Sequence, residues 1–244
     1  MPDQLSVALD SRAQTTALVY LAEDDVRIGA TLVLAHGAGA AQQSAFMVGF
    51  ARALAARGID IVTFNFLYTE QQRRVPDRAP ALEACYRAAI DAARQHAPIA
   101  RNPIFIGGKS MGGRIATHLA AAAGKDRAIR IPDHGSPIPL SGVILLGYPL
   151  HPPGKPDRLR ASHLQDIRVP MLFVQGERDM FGTPDELRPI LDRLKTDVTL
   201  HVVERGDHSL APSRRTEAIA AVYSNVQDVI AGWIRRRSET YAES

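Results

Sequence analysis

The stretch that decides the fold is Ile104-Phe105-Ile106-Gly107-Gly108-Lys109-Ser110-Met111-Gly112-Gly113-Arg114. Its apolar, β-branched beginning is typical of a buried strand. After Ser110, apolar and small residues recur at helical spacing as far as Ala122, so the serine stands at a turn from strand to helix. Residues 108–112 also fit G-x-S-x-G, the pattern of a nucleophile elbow. We therefore expect a strained backbone at Ser110, and glycines where a Cβ would collide with the neighbouring strand and helix.

Apolar runs and helical patterns alternate along the rest of the chain. Strands are predicted over residues 31–35, 59–66, 103–107, 140–147, 170–175 and 198–203, and helices over 46–58, 81–96, 110–123, 184–194 and 218–234. Edge strands are predicted over 16–21 and 28–29, loose chain over 1–13, and loops over 71–80 and 124–139. Several strands are apolar throughout, which favours a mostly parallel sheet covered by helices on both faces. Since no linker divides the chain, we expect one α/β domain over residues 1–244.

The composition is that of an ordinary globular protein, with 45% hydrophobic and 23% charged residues. The net charge is only +3 and the basic residues are dispersed. Arg235-Arg236-Arg237 is predicted in the last turn of the closing helix, where it would complement the helix dipole, so no nucleic-acid partner is expected. No apolar run has the length of a membrane span or a signal peptide, which predicts a soluble cytoplasmic protein with no membrane partner. The one cysteine, Cys85, is expected to be a small buried residue.

Two later loops carry the partners that a serine nucleophile needs. A serine hydroxyl attacks when a base takes its proton and an acid orients that base. Asp179 follows the predicted strand 170–175, and His208 follows the predicted strand 198–203. The carboxyl ends of parallel strands meet at one edge of the sheet. We therefore predict Ser110 as the nucleophile, His208 as the base and Asp179 as its orienter.

Other acids and histidines are weaker candidates for these roles. Glu177 is an alternative to Asp179, but it comes one residue after the glycine that ends the strand and is expected to point away. Four further histidines are expected to be structural or surface residues: His96 and His118 on helices, His163 in a connecting segment and His201 within a strand.

Acyl transfer also needs hydrogen-bond donors for its oxyanion. Met111 follows the nucleophile at a helix start, where N–H groups are free, and is one predicted donor. The loop His36-Gly37-Ala38-Gly39 comes directly after the strand 31–35, and its small residues let the backbone approach a substrate. We predict the Ala38 N–H as the second donor, with Gly37 and Gly39 shaping the turn.

These residues together resemble the α/β-hydrolase superfamily over nearly the whole chain, including its order of serine, acid and histidine. The narrower resemblance is to a dienelactone-hydrolase-like branch of small, lidless bacterial members. It is carried by the elbow with its extra Gly107, by Asn65-Phe66-Leu67-Tyr68, by Gly147-Tyr148-Pro149-Leu150-His151-Pro152 and by Gln175-Gly176-Glu177-Arg178-Asp179.

This set of residues is similar to a group that also includes the hydrolase-like domains of a eukaryotic testis-expressed protein and of a chromatin-acetylation complex subunit. The resemblance implies the α/β-hydrolase fold and, where the triad is intact, hydrolysis; some relatives are scaffolds. True dienelactone hydrolases carry cysteine where Ser110 stands. Dienelactone is therefore not the expected substrate.

The substrate site is expected to be open. Many relatives insert a helical lid before the strand that carries the acid, but residues 148–169 are few and proline-rich, so no lid domain is predicted. An open, shallow site suits short esters or an acyl group on a large carrier. Tyr68, Lys109 and His151 fall at strand ends and are candidates for substrate contact, with simple packing or exposure as the alternative. Lys109 would attract an anionic substrate to the elbow.

The sequence thus predicts a serine hydrolase that acts on a carboxylic ester or thioester, with no metal or organic cofactor. Its expected partner is a small-molecule or carrier-linked acyl substrate. Two rivals stay open. One is a non-catalytic interaction or scaffold module that kept the fold, and the other is a C–C hydrolase or cofactor-free haloperoxidase on the same fold.

Overall fold

The computed structural model describes residues 1–126, 139–212 and 215–242. The strands in these ranges are β1 (Asp3–Ala8), β2 (Gln14–Tyr20), β3 (Thr31–Ala35), β4 (Asp60–Phe64), β5 (Ile104–Lys109), β6 (Leu140–Leu146), β7 (Met171–Gly176) and β8 (Val198–Val203). The α-helices are α1 (Ala45–Ala55), α2 (Leu67–Glu70), α3 (Ala79–Gln95), α4 (Met111–Asp126), α5 (Pro184–Leu191) and α6 (Thr216–Ala242). Short 3₁₀ segments cover Ala97–Ile99 and Ser162–Asp166.

The eight described strands form one sheet in the order β1-β2-β4-β3-β5-β6-β7-β8. β2 runs antiparallel to both β1 and β4, whereas all the other neighbouring pairs are parallel. The carboxyl ends of the six parallel strands therefore lie along one edge. This confirms the predicted α/β fold with a mostly parallel sheet.

Helices cover both faces of the sheet, and the strands between them are apolar on both sides. In β3, Val33 belongs to a core that it shares with residues of α3, α4 and α5. Its neighbour Leu34 belongs to a second core with residues of α1 and α6, including the fully buried Trp233. Two cores on a single sheet account for the continuous apolar runs in the sequence.

The N-terminal predictions were wrong in two places. Residues 1–13 were expected to be loose, but β1 pairs along its length with β2, and Val7 is buried in the core with α3. Residues 28–29 were expected to form a strand, but Ile28 makes a single backbone contact, its N–H donating to the Gly58 carbonyl at 2.7 Å. Pairing with β2 therefore orders the first segment, whereas residues 28–29 have no ladder of hydrogen bonds to a neighbouring strand among those described. The helix α2 was also not predicted.

The closing helix is longer than predicted, so Arg235–Arg237 do not lie in its last turn. Arg237 instead pairs with Asp197 and stacks over the Trp233 ring at 4.3 Å. The pair tethers the side of α6 beside β8, which is a packing role rather than a dipole cap. Residues 124–126, predicted as part of a loop over 124–139, belong instead to α4, which continues to Asp126. Residues 127–138 of that prediction lie outside the described ranges.

The segment between β6 and β7 is described throughout, and a single 3₁₀ turn at Ser162–Asp166 is its one helical piece. The predicted absence of a lid domain in this interval is therefore confirmed. Cys85 is buried on α3, and burial raises the pKa of its thiol to about 12, which agrees with the expected packing role. Among the described helices, none has the length and apolarity needed to cross a bilayer.

Candidate active site

The elbow holds Ser110 in the left-handed region, at φ 51°, between the end of β5 and the start of α4. A Cβ added to Gly112 would lie 2.5 Å from the Ala35 carbonyl oxygen, and one on Gly108 would lie 2.5 Å from the Gly112 carbonyl carbon. These backbone atoms leave no room for a side chain. The predicted reason for the glycines is therefore confirmed: the turn needs close approach between β5, α4 and β3.

The structure brings Ser110, His208 and Asp179 into one hydrogen-bonded chain. His208 Nε2 lies 2.8 Å from Ser110 Oγ, and His208 Nδ1 lies 2.9 and 2.8 Å from the two carboxylate oxygens of Asp179. Asp179 follows β7 and His208 follows β8, as predicted. With Nδ1–H donating to the carboxylate, the Nε2 lone pair faces the serine hydroxyl and can accept its proton.

Asp179 is held by donors on both of its oxygens. The side chain is fully buried, Gln175 Nε2 donates to Oδ2 at 2.9 Å, and the Phe181 N–H donates to Oδ1 at 2.8 Å. Gln175 is anchored in turn, since its Oε1 accepts from the Tyr148 N–H at 2.8 Å. Gln175 was not predicted to have a role in the site. Its signal was a polar side chain within the otherwise apolar strand β7.

Phe181 is a second neighbour of the site that was not predicted from the sequence. Its ring lies 4.1 Å from the His208 ring, centroid to centroid, at a tilt of 32°. The alternative acid, Glu177, is exposed and accepts a hydrogen bond from the Arg205 N–H at 2.7 Å. The carboxylate that meets His208 is therefore that of Asp179.

The loop after β3 is held by a buried histidine. His36 Nε2 accepts from the Phe66 N–H at 3.2 Å, so Nδ1 carries the proton and donates to the Gly37 carbonyl at 2.8 Å. Burial lowers the pKa of His36, which favours this neutral form. The ring therefore fixes the start of the loop against the chain after β4.

The same loop turns tightly beside the elbow. The Ala40 N–H donates to the Gly37 carbonyl at 3.2 Å, and Gly39 adopts φ 73°, which leaves Ala38 exposed at the corner of the turn. A Cβ on Gly37 would lie 3.5 Å from Ser110 Cβ, so the turn contacts the elbow. Met111 is the first residue of α4, where backbone N–H groups are free. Both predicted oxyanion donors thus belong to segments that flank Ser110.

The Lys109 side chain is half-buried, and its Nζ donates to the backbone carbonyl of His208. Burial lowers the pKa of the ammonium to about 8, against the opposing attraction of the Asp179 and Asp207 carboxylates. The contact with His208 uses one of the three N–H donors of the ammonium, and contact between Lys109 and substrate stays a prediction.

Tyr68 and His151, the other candidates for substrate contact, are buried. Tyr68 is 1% exposed and packs 6.1 Å from the His36 ring, centroid to centroid. His151 is 5% exposed, with Nδ1 2.9 Å from the Pro152 carbonyl oxygen and Nε2 3.4 Å from Glu186 Oε1. Both side chains pack beneath the surface, and their contact with substrate stays a prediction.

The remaining predicted structural histidines lie away from this chain of hydrogen bonds. His118 Nδ1 lies 3.0 Å from Glu83 Oε1, and His163 Nε2 lies 2.8 Å from Thr117 Oγ1. Their two rings meet at 4.5 Å. His96 follows α3 and His201 lies in β8. In the part of the chain that the structure describes, no group of three or more histidine, cysteine or acidic side chains could hold a metal ion.

Lys109 should make the free energy of unfolding depend on pH in a defined direction. Its pKa is about 8 in the folded protein and about 10.4 in an unfolded chain. Between these values the unfolded chain binds more protons, so this group's contribution to stability rises as the pH rises. We expect the free energy of unfolding of the wild type, relative to Lys109→Met, to be greater at about pH 9.5 than at about pH 7.5 in urea denaturation. A difference independent of pH would show that Lys109 titrates like a surface lysine.

Comparison with known proteins places the chain among hydrolases. Residues 29–235 match the family described as alpha/beta hydrolase domain. A serine hydrolase without a lid from Xanthomonas campestris is 21% identical, with 96% of this chain and 94% of that chain covered and a TM-score of 0.69. A dienelactone hydrolase from Anabaena variabilis is 18% identical, with 93% and 95% covered and a TM-score of 0.69. Esterase 2 of Thermogutta terrifontis, phosphoramylated by tabun, is 17% identical, with 96% and 94% covered and a TM-score of 0.70.

Proposed function

The chain belongs to the alpha/beta hydrolase domain family, and from that premise we propose that it is a serine hydrolase that cleaves a carboxylic ester or thioester. The observation that carries the proposal is the hydrogen-bonded chain from Ser110 through His208 to the buried Asp179. A scaffold would need the fold but not this alignment of nucleophile, base and acid.

The proposed reaction follows from which atoms face each other. As Ser110 Oγ attacks the acyl carbon, His208 Nε2 takes its proton, and Asp179 stabilises the imidazolium that forms. The N–H groups of Ala38 and Met111 donate to the oxyanion of the tetrahedral intermediate. The imidazolium then protonates the leaving alcohol or thiol, which leaves an acyl group on Ser110. A water molecule, deprotonated by His208, releases the acid and restores the serine.

We further propose that the chain belongs to the dienelactone-hydrolase-like branch of small, lidless members, the group similar to the hydrolase-like domains of the testis-expressed protein and the chromatin-complex subunit. The similar Anabaena and Xanthomonas structures support this narrower placement. The serine at position 110, where dienelactone hydrolases carry cysteine, argues for an ester or thioester rather than dienelactone. The absence of a lid between β6 and β7 favours a short acyl group or one carried on a large molecule.

A fluorophosphonate should attach to Ser110 in a one-to-one ratio, because the probe reacts with a serine that a neighbouring base activates. An organophosphorus group suits the fold, since the Thermogutta esterase is phosphoramylated by tabun. Intact mass spectrometry with peptide mapping is the measurement. Ser110→Ala should remove the adduct, and Ser44→Ala, whose hydroxyl makes no capping bond at α1, should keep it.

Labelling absent from the wild type, or persisting in Ser110→Ala, would favour the scaffold instead. If labelling occurs, a panel of p-nitrophenyl esters and acyl-coenzyme A thioesters separates ester from thioester by kcat/KM. The same panel tests the rivals on this fold, because a C–C hydrolase or haloperoxidase would label at Ser110 and yet turn over neither class.

A further inference from the structure

The loop that follows β8 and carries His208, called here the His208 loop, is separated from the nucleophile by the width of two strands. Ser110 follows β5 and His208 follows β8, and the sheet places β6 and β7 between them. The loop is internally bonded, since the Leu210 N–H donates to the Asp207 carbonyl at 2.9 Å and the Ser209 N–H donates to Asp207 Oδ1 at 2.7 Å. These bonds shape the loop but do not fix its distance from β5.

The side chain of Lys109 connects the end of β5 to the His208 loop. It leaves the chain one residue before the nucleophile, and its ammonium donates to the backbone carbonyl of His208 itself. The Asp179 and Asp207 carboxylates attract the same ammonium, one from the loop after β7 and one from the His208 loop. A single cation thus faces groups from every loop that builds the triad.

A glycine just after the end of β6 leaves room for the contact between Lys109 and His208. Gly147 follows β6 with φ 64°, and its N–H donates to the Val174 carbonyl at 2.8 Å. A Cβ added there would lie 2.8 Å from the His208 carbonyl oxygen and 2.9 Å from Lys109 Nζ. A methyl group at this position would therefore press on both ends of the hydrogen bond.

We propose that Lys109 is a positioning residue, whose ammonium holds the backbone of His208 so that Nε2 stays within reach of Ser110 Oγ. The proposal rests on the proposed function of the same site. It differs from the prediction that Lys109 binds an anionic substrate, because the Nζ contact is with the protein's own backbone. Positioning acts on the proton transfer, whereas substrate attraction acts on binding.

The test compares Lys109→Met, which keeps most of the side-chain length and removes the donor, with Lys125→Met on α4, where the native lysine side chain is 72% exposed. Each variant is assayed for kcat and KM on the best ester of the panel, and for the second-order rate of fluorophosphonate labelling. A misplacement of about 1 Å in an active site can lower the rate about a hundredfold. For Lys109→Met we expect kcat and the labelling rate to fall about tenfold to a hundredfold together, with KM changed less than about threefold. Lys125→Met should match the wild type.

Gly147→Ala keeps Lys109 and disturbs the same hydrogen bond from the other side, so it should lower kcat without raising KM. It also carries the test if Lys109→Met does not fold, as judged by circular dichroism and melting temperature. A raised KM with unchanged kcat in Lys109→Met would show substrate binding and overturn the proposal. Wild-type kcat and labelling in the folded variants would also overturn it. Failure of the wild type to label at Ser110 would instead contradict the proposed function, so the two failures are distinct.

Discussion

Replacing Asp179 with asparagine should lower kcat by about a hundredfold or more, on the order of 3 kcal/mol in the activation barrier. The carboxylate accepts from His208 Nδ1 on both oxygens, which fixes the tautomer whose Nε2 can take a proton from Ser110. An asparagine amide can donate to Nδ1 and so place the imidazole proton on Nε2, where it blocks that transfer. In a serine protease the same change lowers kcat by about 10⁴-fold.

His208→Ala should reduce turnover at least as much as Asp179→Asn, and the double variant should lose little more, because base and acid act as one unit. Steady-state kinetics on one ester measures all three, with Glu177→Gln as the matched control, since that carboxylate faces Arg205 instead. In Asp179→Asn, the new amide NH₂ would face another donor, either Gln175 Nε2 or the Phe181 N–H, and one hydrogen bond would be lost. We therefore expect a modest fall in melting temperature.

Near-wild-type turnover by a folded Asp179→Asn protein would remove Asp179 from the proposed mechanism. Equal losses of melting temperature in the two single variants, without a large loss of kcat, would indicate a structural ion pair.

Replacing Gly112 with alanine should destabilise the protein by about 3 kcal/mol or more, because the added methyl group would overlap backbone atoms. The added Cβ would lie 2.5 Å from the Ala35 carbonyl oxygen and 2.6 Å from the His36 carbonyl oxygen. Both are backbone atoms, so relief requires that α4 move away from β3. The movement would also displace Ser110 from the loop after β3, and labelling should fall with stability.

Gly49→Ala is the matched control for this change. Gly49 is exposed within α1, and a Cβ added there meets nothing within 4 Å. Since alanine is a better helix former than glycine, this variant should gain about 0.5–1 kcal/mol. Urea denaturation measures both variants. Equal effects from the two changes would mean that the close approach at Gly112 does not constrain the elbow.

The parallel part of the sheet could be predicted because its strands are rich in apolar residues, as in β3 and β6. The strands β3 and β8 were predicted with the bounds that the structure shows, Thr31–Ala35 and Val198–Val203. β1 was not predicted, because its residues are mostly exposed and its order comes from pairing with β2. Strand formation at an edge depends on a partner that local sequence does not reveal.

The sequence by itself determined where the serine, the acid and the histidine lie along the fold. A strand-to-helix turn crowded by neighbouring backbone demands glycines around Ser110, and parallel strands deliver Asp179 and His208 to the same edge. Only the tertiary structure decided what surrounds them. Lys109 turns inward to the His208 backbone and Gln175 reaches Asp179, because buried polar groups take whatever partners the packed strand ends supply. Those partners lie on loops that are far apart in the sequence, so the residue type at one position does not reveal which side chains will be in contact.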